Sequence, residues 1–269
     1  MSLASDIRES HVPAGSVMLW WLGQAGFLLK SAGGKVLAID PYLTDTCGAI
    51  GKKIGVRMDR LVPPPLLPAE LKSDCLALTH SHPDHLDPET FKGIQETGRA
   101  ISIIAPPETI AALQKLGATD DQMEMTWPNK VHRLGDLEIR TTLGIPMCED
   151  DLTHVGFIVK ADGGPTIYFT GDTSYHEILA IQAKPSRPDI LVTVINGTFR
   201  NMGPGEAARL AHELNVQTVI PCHYGMFADN TLPPDLLRTN LLMFGMADRY
   251  RELQCGEGVV LSASNISQT

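Results

Sequence analysis

The segment Thr79–Leu86 concentrates side chains that bind divalent transition metals. Four potential ligands stand within six consecutive residues: His80, His82, Asp84 and His85. They follow the apolar run Cys75–Thr79, which predicts a buried strand, and residues two apart at a strand end point the same way. Pro83 breaks the strand and turns the chain, so the carboxylate and imidazole after it can face a second metal. A His-rich surface loop is the alternative, but a cluster directly after a buried-type strand favours a metal site.

Two further candidates stand where other apolar runs end. Asp172 follows a run ending in Gly171, and it could bridge two metals or cap a helix. His223 follows the apolar run that ends at Cys222, and the imidazole suits the nitrogen and oxygen character of the cluster better than the thiol does. Both residues are therefore candidate ligands.

The remaining histidines carry weaker signals. His154 directly precedes the strand predicted from Val155, so it is either a ligand or a buried residue at the strand edge. His176 stands four residues after Asp172 and is a weak candidate for substrate contact. Three others are expected at the surface: His11, His132 and His212.

Composition limits the classes of protein to which the chain can belong. Its 269 residues show no shift in composition, which favours a single domain over 1–269. The formal net charge of −9 argues against a nucleic-acid partner and is compatible with a small-molecule substrate. No apolar run approaches the ~20 residues that span a bilayer, and we expect no signal peptide and no membrane. Five cysteines without CxxC spacing favour reduced thiols and a cytoplasmic location.

Hydrophobic patterning predicts strands and helices that alternate along the chain. Val17–Leu29 and Val36–Ile39 are predicted strands, and Thr44–Pro68 is predicted as a long loop that serves as a lid or an interface. The predicted helices are Pro88–Gln95, Pro107–Leu116, Pro204–Leu214 and a segment within Leu232–Tyr250. The other predicted strands are Leu76–Thr79, Ser102–Ala105, Leu137–Thr142, Val155–Lys160, Thr166–Thr170, Ile190–Val194, Thr218–Ile220 and Val259–Ser262. This order favours two sheet layers with helices outside them.

Taken in order, these motifs resemble the metallo-β-lactamase superfamily. The resemblance rests on the His80–His85 cluster, on Gly171-Asp172-Thr173 and on Pro221-Cys222-His223-Tyr224. In finer detail, three segments are similar to the L-ascorbate-6-phosphate lactonase-like branch: Trp20–Gly26, Thr79–Asp87 and Met202–Ala208. The likeness runs from about Trp20 to about Val260.

The resemblance implies an α/β fold, a four-layer αββα sandwich with the site at one edge. By analogy, His80 and His82 hold one metal, while Asp84, His85 and His223 hold the other. Asp172 bridges the two, and Asp40 supports the site from behind. The family usually supplies a third His to the first metal a few residues before the strand at Val155. This sequence has no His there, so Asp150 or His154 would take that place, and one or two ions, Mn²⁺ or Zn²⁺, would be bound. The lactonase-like relatives also suggest a homo-oligomer.

The chemistry expected of such a site is metal-assisted hydrolysis, with a metal-bound hydroxide as nucleophile. Asp84 is the candidate to orient that nucleophile and take its proton. A lactone of a sugar acid, with or without a phosphate, is the expected substrate, and its polar groups would contact Asn196, Arg200 and Tyr224. Arg57 and Arg60 are either phosphate ligands or ordinary surface charges. The alternatives are a small-molecule phosphodiesterase or nuclease of the same superfamily, and a non-catalytic metal-binding scaffold with a broken ligand set.

Overall fold

The structure is a computed structural model that describes residues 2–146 and 152–263. In this part of the chain the strands are β1 (Ser16–Gly23), β2 (Gly26–Ser31), β3 (Val36–Ile39), β4 (Cys75–Ala77), β5 (Ser102–Ala105), β6 (Met123–Met125), β7 (Val131–Leu134), β8 (Leu137–Leu143), β9 (Val155–Ala161), β10 (Thr166–Phe169), β11 (Ile190–Val194), β12 (Thr218–Cys222) and β13 (Gly258–Ser262). The α-helices are α1 (Leu3–Glu9), α2 (Thr46–Ile54), α3 (Pro88–Gln95), α4 (Pro107–Lys115), α5 (Glu177–Ala183), α6 (Pro204–Leu214) and α7 (Asp235–Leu242). Short 3-10 helices lie at Pro68–Glu70, Asp120–Gln122, Lys184–Ser186 and Ala247–Arg249.

The strands form two mixed sheets with similar organisation. One has the order β13-β1-β2-β3-β4-β5-β6, and the other has the order β12-β11-β10-β9-β8-β7. In the first sheet, β13 to β3 pair antiparallel and β3 to β6 pair parallel. In the second, β7 to β10 pair antiparallel and β10 to β12 pair parallel. Each sheet therefore brings together the carboxyl ends of parallel strands, where α/β proteins place their sites.

Both faces of the first sheet are buried, as the nearly continuous apolar sequence of β1 requires. Leu19 and Trp21 point to the core between the sheets. Successive side chains of a strand point to opposite faces. Trp20 and Leu22 therefore lie on the other face, where they pack in a second core that includes Phe91 of α3. Helices α5, α6 and α7 pack their buried residues on the second sheet. The predicted αββα sandwich is confirmed, and none of the described helices has the length and apolar character needed to cross a bilayer.

Three details differ from the sequence prediction. The single strand predicted over Val17–Leu29 is two strands, because the chain reverses at Gln24, whose φ is 52°. The predicted loop Thr44–Pro68 contains α2, whose buried glycines weakened the helical signal. His132, predicted at the surface, is buried in β7, where its ring hydrogen-bonds with Thr126.

Other elements agree closely with their predicted bounds. Helices α3 and α6 and strands β5 and β11 begin and end where the patterns placed them. Four short elements carried too little periodicity to be predicted: α1, β6, β7 and α5. The helical prediction over Leu232–Tyr250 shortens to α7 and one 3-10 turn.

Candidate metal centre

The ligand-rich segment lies in a tight turn after β4. The strand ends at Ala77, so His80 and His82 lie in the loop, not on an extended strand end as predicted. The backbone nitrogens of His85 and Leu86 both donate to the carbonyl of His82, at 2.9 and 2.8 Å. This turn directs the side chains before and after Pro83 toward two neighbouring positions.

The first group of potential ligands consists of three imidazoles. One nitrogen from each of His80, His82 and His154 lies within 4.8 Å of the other two. His154 stands directly before β9, and its ring centroid lies 3.9 Å from that of His80. Its Nδ1 lies 3.1 Å from the carbonyl oxygen of Asp172, which fixes the ring orientation. Asp150, the other candidate for this place, lies outside the described residues.

The second group combines two imidazoles and a carboxylate. Ligand atoms of Asp84, His85 and His223 lie within 4.8 Å of one another. Asp172 lies beside this group, with its Oδ1 3.2 Å from His85 Nε2 and 3.4 Å from His223 Nε2. Asp172 and His85 also form a group with His80, so Asp172 stands between the two positions.

Unusual backbone conformations place two of these side chains. His223 has a φ of 62°, a left-handed conformation that non-glycine residues rarely adopt. Its backbone nitrogen donates to the carbonyl of Gln24 at 2.9 Å, which holds the strained turn. Gly171, with a φ of 61°, turns the chain before Asp172. Such strain persists where the surroundings determine it and is concentrated at functional sites.

The charges of the second group depend on one another. Burial alone would lower the pKa of His223, but the carboxylates of Asp172 and Asp84 outweigh it and raise that pKa to about 9. For His85, burial is likewise outweighed by Asp172, Asp84 and Asp40, which hold its pKa well above the ordinary range. Burial would raise the pKa of both Asp84 and Asp172, but the neighbouring imidazoles hold them below their usual values.

His80, in the first group, has the opposite electrostatics. Burial lowers the pKa of His80 well below its ordinary value, and the imidazoles of His85 and His154 add to that effect. A neutral imidazole has a lone pair available for a metal. The first group is therefore a set of nitrogen donors, whereas the second holds two imidazoles and one carboxylate, with the carboxylate of Asp172 beside it.

A divalent cation fits the centre of these groups. Among the described residues, Asp172 Oδ1 and His85 Nε2 are buried polar atoms that make no hydrogen bond of ordinary geometry, although they lie close to each other. Buried polar atoms are rarely left unpaired, and these two face each other across 3.2 Å. Imidazole nitrogens and carboxylate oxygens are the ligands that Zn²⁺ and Mn²⁺ accept.

Asp40 supports the centre from the end of β3. Its carboxylate accepts hydrogen bonds from the backbone nitrogen and the hydroxyl of Thr79, and it lies 2.8 Å from His85 Nδ1. When a metal is bound, a carboxylate at Nδ1 holds the remaining ring proton there, and Nε2 of the same ring is then the nitrogen available to the metal. This position matches the supporting place that the resemblance implies for Asp40.

Two residues that the sequence did not single out also contact the centre. Gln24 is fully buried, and its Nε2 donates to Asp84 Oδ2 at 2.9 Å and lies 3.0 Å from His223 Nε2. Asn201 Nδ2 donates to Asp172 Oδ2 at 2.6 Å. Both stand in motifs quoted for the resemblance or next to them, but an amide has no distinctive spacing that would mark it as part of a site.

A cavity of about 200 Å³ opens onto the metal centre. Its described lining consists of Cys47, Ile50, Ile54, Met58, His82, Pro83, Asp84, His154, Asp172, Phe199, Asn201 and Asn230. The three residues predicted to contact substrate, Asn196, Arg200 and Tyr224, do not belong to it.

Each of those three residues has another place. Asn196 is fully buried behind the cavity and donates to Asn230 Oδ1 at 2.7 Å. Tyr224 stacks on Trp21 and donates its hydroxyl to the carbonyl of Leu253. Arg200 is exposed outside the cavity.

The basic residues suggested for a phosphate also lie elsewhere. Arg57 forms an exposed ion pair with Asp229 at 2.6 Å, and Arg60 donates inward to the carbonyl of Tyr42 at 2.8 Å. His176 is exposed and caps α5, so its ring is engaged at the helix end.

Comparison with known proteins defines the class to which this fold and site belong. Residues 18–223 match the family described as a beta-lactamase superfamily domain. The chain therefore belongs to the metallo-β-lactamase superfamily, and it is a metal-dependent hydrolase.

Three individual relatives are 22–29% identical to this chain. A UPF0173 metal-dependent hydrolase of Myxococcus xanthus is 29% identical over 247 residues, which cover 89% of this chain and 81% of the relative. The "Probable L-ascorbate-6-phosphate lactonase" of Salmonella paratyphi B is 24% identical to this chain. The alignment covers 88% of this chain and 77% of the relative. The solved structure of Igni18, a metallo hydrolase of Ignicoccus hospitalis, superimposes with a TM-score of 0.71 at 22% identity, covering 92% of this chain and 99% of its own, and shows the shared fold.

Proposed function

We propose that this hydrolase opens a lactone at a centre of two divalent cations, Mn²⁺ or Zn²⁺. One cation is held by His80, His82 and His154. The other is held by Asp84, His85 and His223, and Asp172 lies between the two. The observation that carries the proposal is the convergence of these donors beside a cavity that four of them line, His82, Asp84, His154 and Asp172.

The cations supply Lewis-acid polarisation of a carbonyl oxygen and lower the pKa of a bound water. The protein positions the groups that act with them. Asp84 is a carboxylate at neutral pH, and the hydrogen bond from Gln24 to its Oδ2 fixes this carboxylate, which would orient the attacking water and accept its proton. Asn201 holds the second oxygen of Asp172, which leaves the first directed at the centre.

Relatedness supports a lactone as the bond that is cleaved. A protein described as a probable L-ascorbate-6-phosphate lactonase is among the relatives that cover most of this chain, and the sequences of Trp20–Gly26 and Met202–Ala208 resemble that branch. In lactone hydrolysis the hydroxyl of water adds to the carbonyl carbon and the ring C–O bond breaks. The ring oxygen leaves as an alcohol, and the products are a hydroxycarboxylate and a proton.

A small-molecule phosphodiesterase is the second candidate. A two-metal centre with a carboxylate between the cations suits an in-line displacement at phosphorus as well as attack at a carbonyl. The net charge of −9 weighs against nucleic acid as the substrate, since binding of polyphosphates needs clustered cations.

One assay separates the two chemistries. The metal-loaded protein is given a simple lactone and bis-p-nitrophenyl phosphate, beside the variants His82→Ala and His212→Ala. We expect faster lactone turnover, a loss of about 100-fold or more in His82→Ala, and no change in His212→Ala, whose ring is exposed away from the cavity. Turnover of the phosphodiester alone would replace the lactonase proposal with the second candidate.

The wider organisation of the protein is also proposed. We propose one domain over residues 1–269 and a homo-oligomer that acts on a small molecule without nucleic acid or a membrane. Free thiols at Cys47, Cys75, Cys222 and Cys255 support a reducing compartment such as the cytoplasm. Sedimentation of the metal-loaded protein tests the oligomer, because a purely monomeric species at micromolar concentration would contradict it.

A further inference from the structure

The described lining of the cavity has an apolar part besides the candidate ligands, and we call this part the apolar wall. Its side chains come from α2 and the residues just after it, together with one aromatic ring: Cys47, Ile50, Ile54, Met58 and Phe199. Among the lining residues that the structure describes, the polar ones besides the ligand candidates are two neutral amides, Asn201 and Asn230. The part of a substrate that lies away from the reacting bond would therefore meet hydrocarbon.

Helix α2 presents this wall on one face. Cys47, Ile50 and Ile54 are spaced three and four residues apart, so they share a side of the helix. Thr44 and Thr46 donate to the carboxylate of Asp87 at 2.7 and 2.8 Å, which anchors the start of the helix to the loop that follows the ligand-rich turn. Burial raises the pKa of the Cys47 thiol, so this side chain is neutral at physiological pH.

Phe199 is placed at the cavity by a strained loop. Phe199 and Arg200 both have positive φ, 50° and 61°, which is rare for large side chains. The loop is clamped to the segment after Asp172, because Ser174 Oγ donates to the Arg200 carbonyl at 2.6 Å. A bulky aromatic side chain held at such a cost beside a reaction centre indicates a role in binding.

No cation faces this wall in the part of the chain that the structure describes. None of the described lining residues is Lys or Arg.

The basic residues of the neighbouring segment are engaged elsewhere. Lys52 pairs with Asp59 at 2.9 Å, and Arg57 and Arg60 have the contacts given above. Lys53 is exposed and is not a lining residue. An anionic tail would therefore lose its water without gaining a charged partner from this wall.

We propose that the substrate is a neutral lactone with a short apolar substituent, rather than a phosphorylated or carboxylated sugar lactone. This inference rests on the proposed lactonase function. The carbonyl lies at the metal centre, and the substituent packs against Ile50, Ile54, Met58 and Phe199. Burying it contributes about fourfold in binding per methylene.

Two matched substrates test this inference: a γ-lactone with a hexyl side chain, and the same lactone whose side chain ends in a phosphate. We expect kcat/KM at least about tenfold higher for the hexyl lactone. The corresponding lactams, which resist hydrolysis, provide a binding readout by calorimetry with the metal-loaded protein, and we expect the same preference. A preference for the phosphate in both readouts would overturn the inference while leaving the lactonase proposal intact. Hydrolysis of neither lactone would overturn the proposed function itself.

A pair of isoleucine variants localises the effect. Ile54→Lys places a cation on the wall, and Ile181→Lys is its matched control, because both isoleucines lie on helices and are 61% and 62% exposed. We expect Ile54→Lys to reduce the preference for the hexyl lactone at least about fivefold, through weaker hexyl and stronger phosphate binding. We expect Ile181→Lys to leave the preference unchanged. Equal effects of both substitutions would show that bulk charge acts rather than this wall, and would overturn the assignment.

Discussion

At the residue scale, the position of His154 favours one of the two ligand sets that the sequence leaves open for the first metal. The sequence offers Asp150 or His154 as the third ligand of the first metal, because no histidine stands at the usual distance before β9. The structure places the His154 ring against His80, with its nitrogen close enough to share a cation with His80 and His82. Three imidazoles would bind zinc without any contribution from Asp150.

Replacing this ring tests the assignment. We expect His154→Ala to lose about one metal ion per chain and to lower hydrolysis at least about 100-fold, because only two imidazoles remain. Elemental analysis of the purified variant measures the loss. His176→Ala is the control, since His176 follows Asp172 closely but is exposed. Unchanged metal content in His154→Ala would return the third ligand to the undescribed segment.

The acid–base state of the second group leads to another prediction. The pKa of His223 is raised to about 9, so in protein stripped of metal this ring carries a proton at neutral pH, and His85 does the same. A ligating imidazole must be neutral at the bound nitrogen, so metal binding releases protons and strengthens as pH rises toward about 9. Calorimetry in two buffers of different ionisation enthalpy measures the release. Equal heats in both buffers at neutral pH would contradict it.

The candidate metal ligands could be predicted from the sequence, but the residues that hydrogen-bond to them could not. A cluster of His and Asp after an apolar strand indicates metal chemistry because few other roles need that combination. The amides of Gln24 and Asn201 gave no such signal, since amides occur in turns everywhere and their role depends on contacts formed only in the fold. Asn196, Arg200 and Tyr224 were predicted from their polarity and sequence position, and none of the three lines the cavity.

At the element scale, the centre depends on turns that follow the strands. Gly171 joins β10 to Asp172 with a φ of 61°. A Cβ at this residue would lie 2.7 Å from the carbonyl oxygen of Val155 and 2.9 Å from the Cγ2 of Thr79. Thr79 is hydrogen-bonded to Asp40, which orients His85. The glycine therefore allows two strands and the supporting carboxylate to pack closely.

A matched pair of glycine variants measures this packing. Gly171→Ala meets both the strained φ and the clash with backbone, whereas Gly163→Ala meets the strain alone, because its φ is 68° and no atom lies within 4 Å of the added Cβ. We expect Gly171→Ala to lower the free energy of unfolding by about 1–3 kcal/mol more than Gly163→Ala does, and also to lose metal. Denaturant unfolding with metal analysis checks both effects, and equal destabilisation would contradict the close-packing argument.

Elements with strong periodicity were predictable, and elements stabilised by tertiary contacts were not. Helix α6 has a continuous apolar face and was predicted with its correct bounds. Helix α2 contains two buried glycines and was predicted as a loop, because its stability comes from packing Cys47 against Tyr42 and Phe227 and from the anchor at Asp87. The apolar wall of the cavity could therefore not be predicted from the sequence.

At the scale of the whole molecule, the metal centre joins the two sheets. His80, His82, Asp84 and His85 follow a strand of the first sheet, whereas His154, Asp172 and His223 flank strands of the second. A cation bound to both sets would cross-link the sandwich at one edge. The αββα order was predictable from the alternation of strands and helices, while single-domain organisation and oligomeric state remain predictions.

Removing the metal should therefore destabilise the entire fold. A ligand at about 100 times its dissociation constant adds about 2.7 kcal/mol to the free energy of unfolding. For a chain of this size that corresponds to a fall in Tm of roughly 5–10 °C when the metal is chelated. Calorimetric unfolding before and after chelation, followed by metal readdition, checks this prediction. An unchanged Tm would show that the centre does not hold the sheets together.

The central claim, that hydrolysis depends on cations held by this centre, is tested most directly by following metal content and activity in one sample. Freshly purified protein is chelated in steps and then reloaded with Zn²⁺ or Mn²⁺, and each fraction is analysed for metal per chain and for lactone hydrolysis. We expect about two ions per chain, with activity lost as they leave and recovered as they return. Full hydrolysis by metal-free protein, or a stripped protein that binds neither ion, would contradict it.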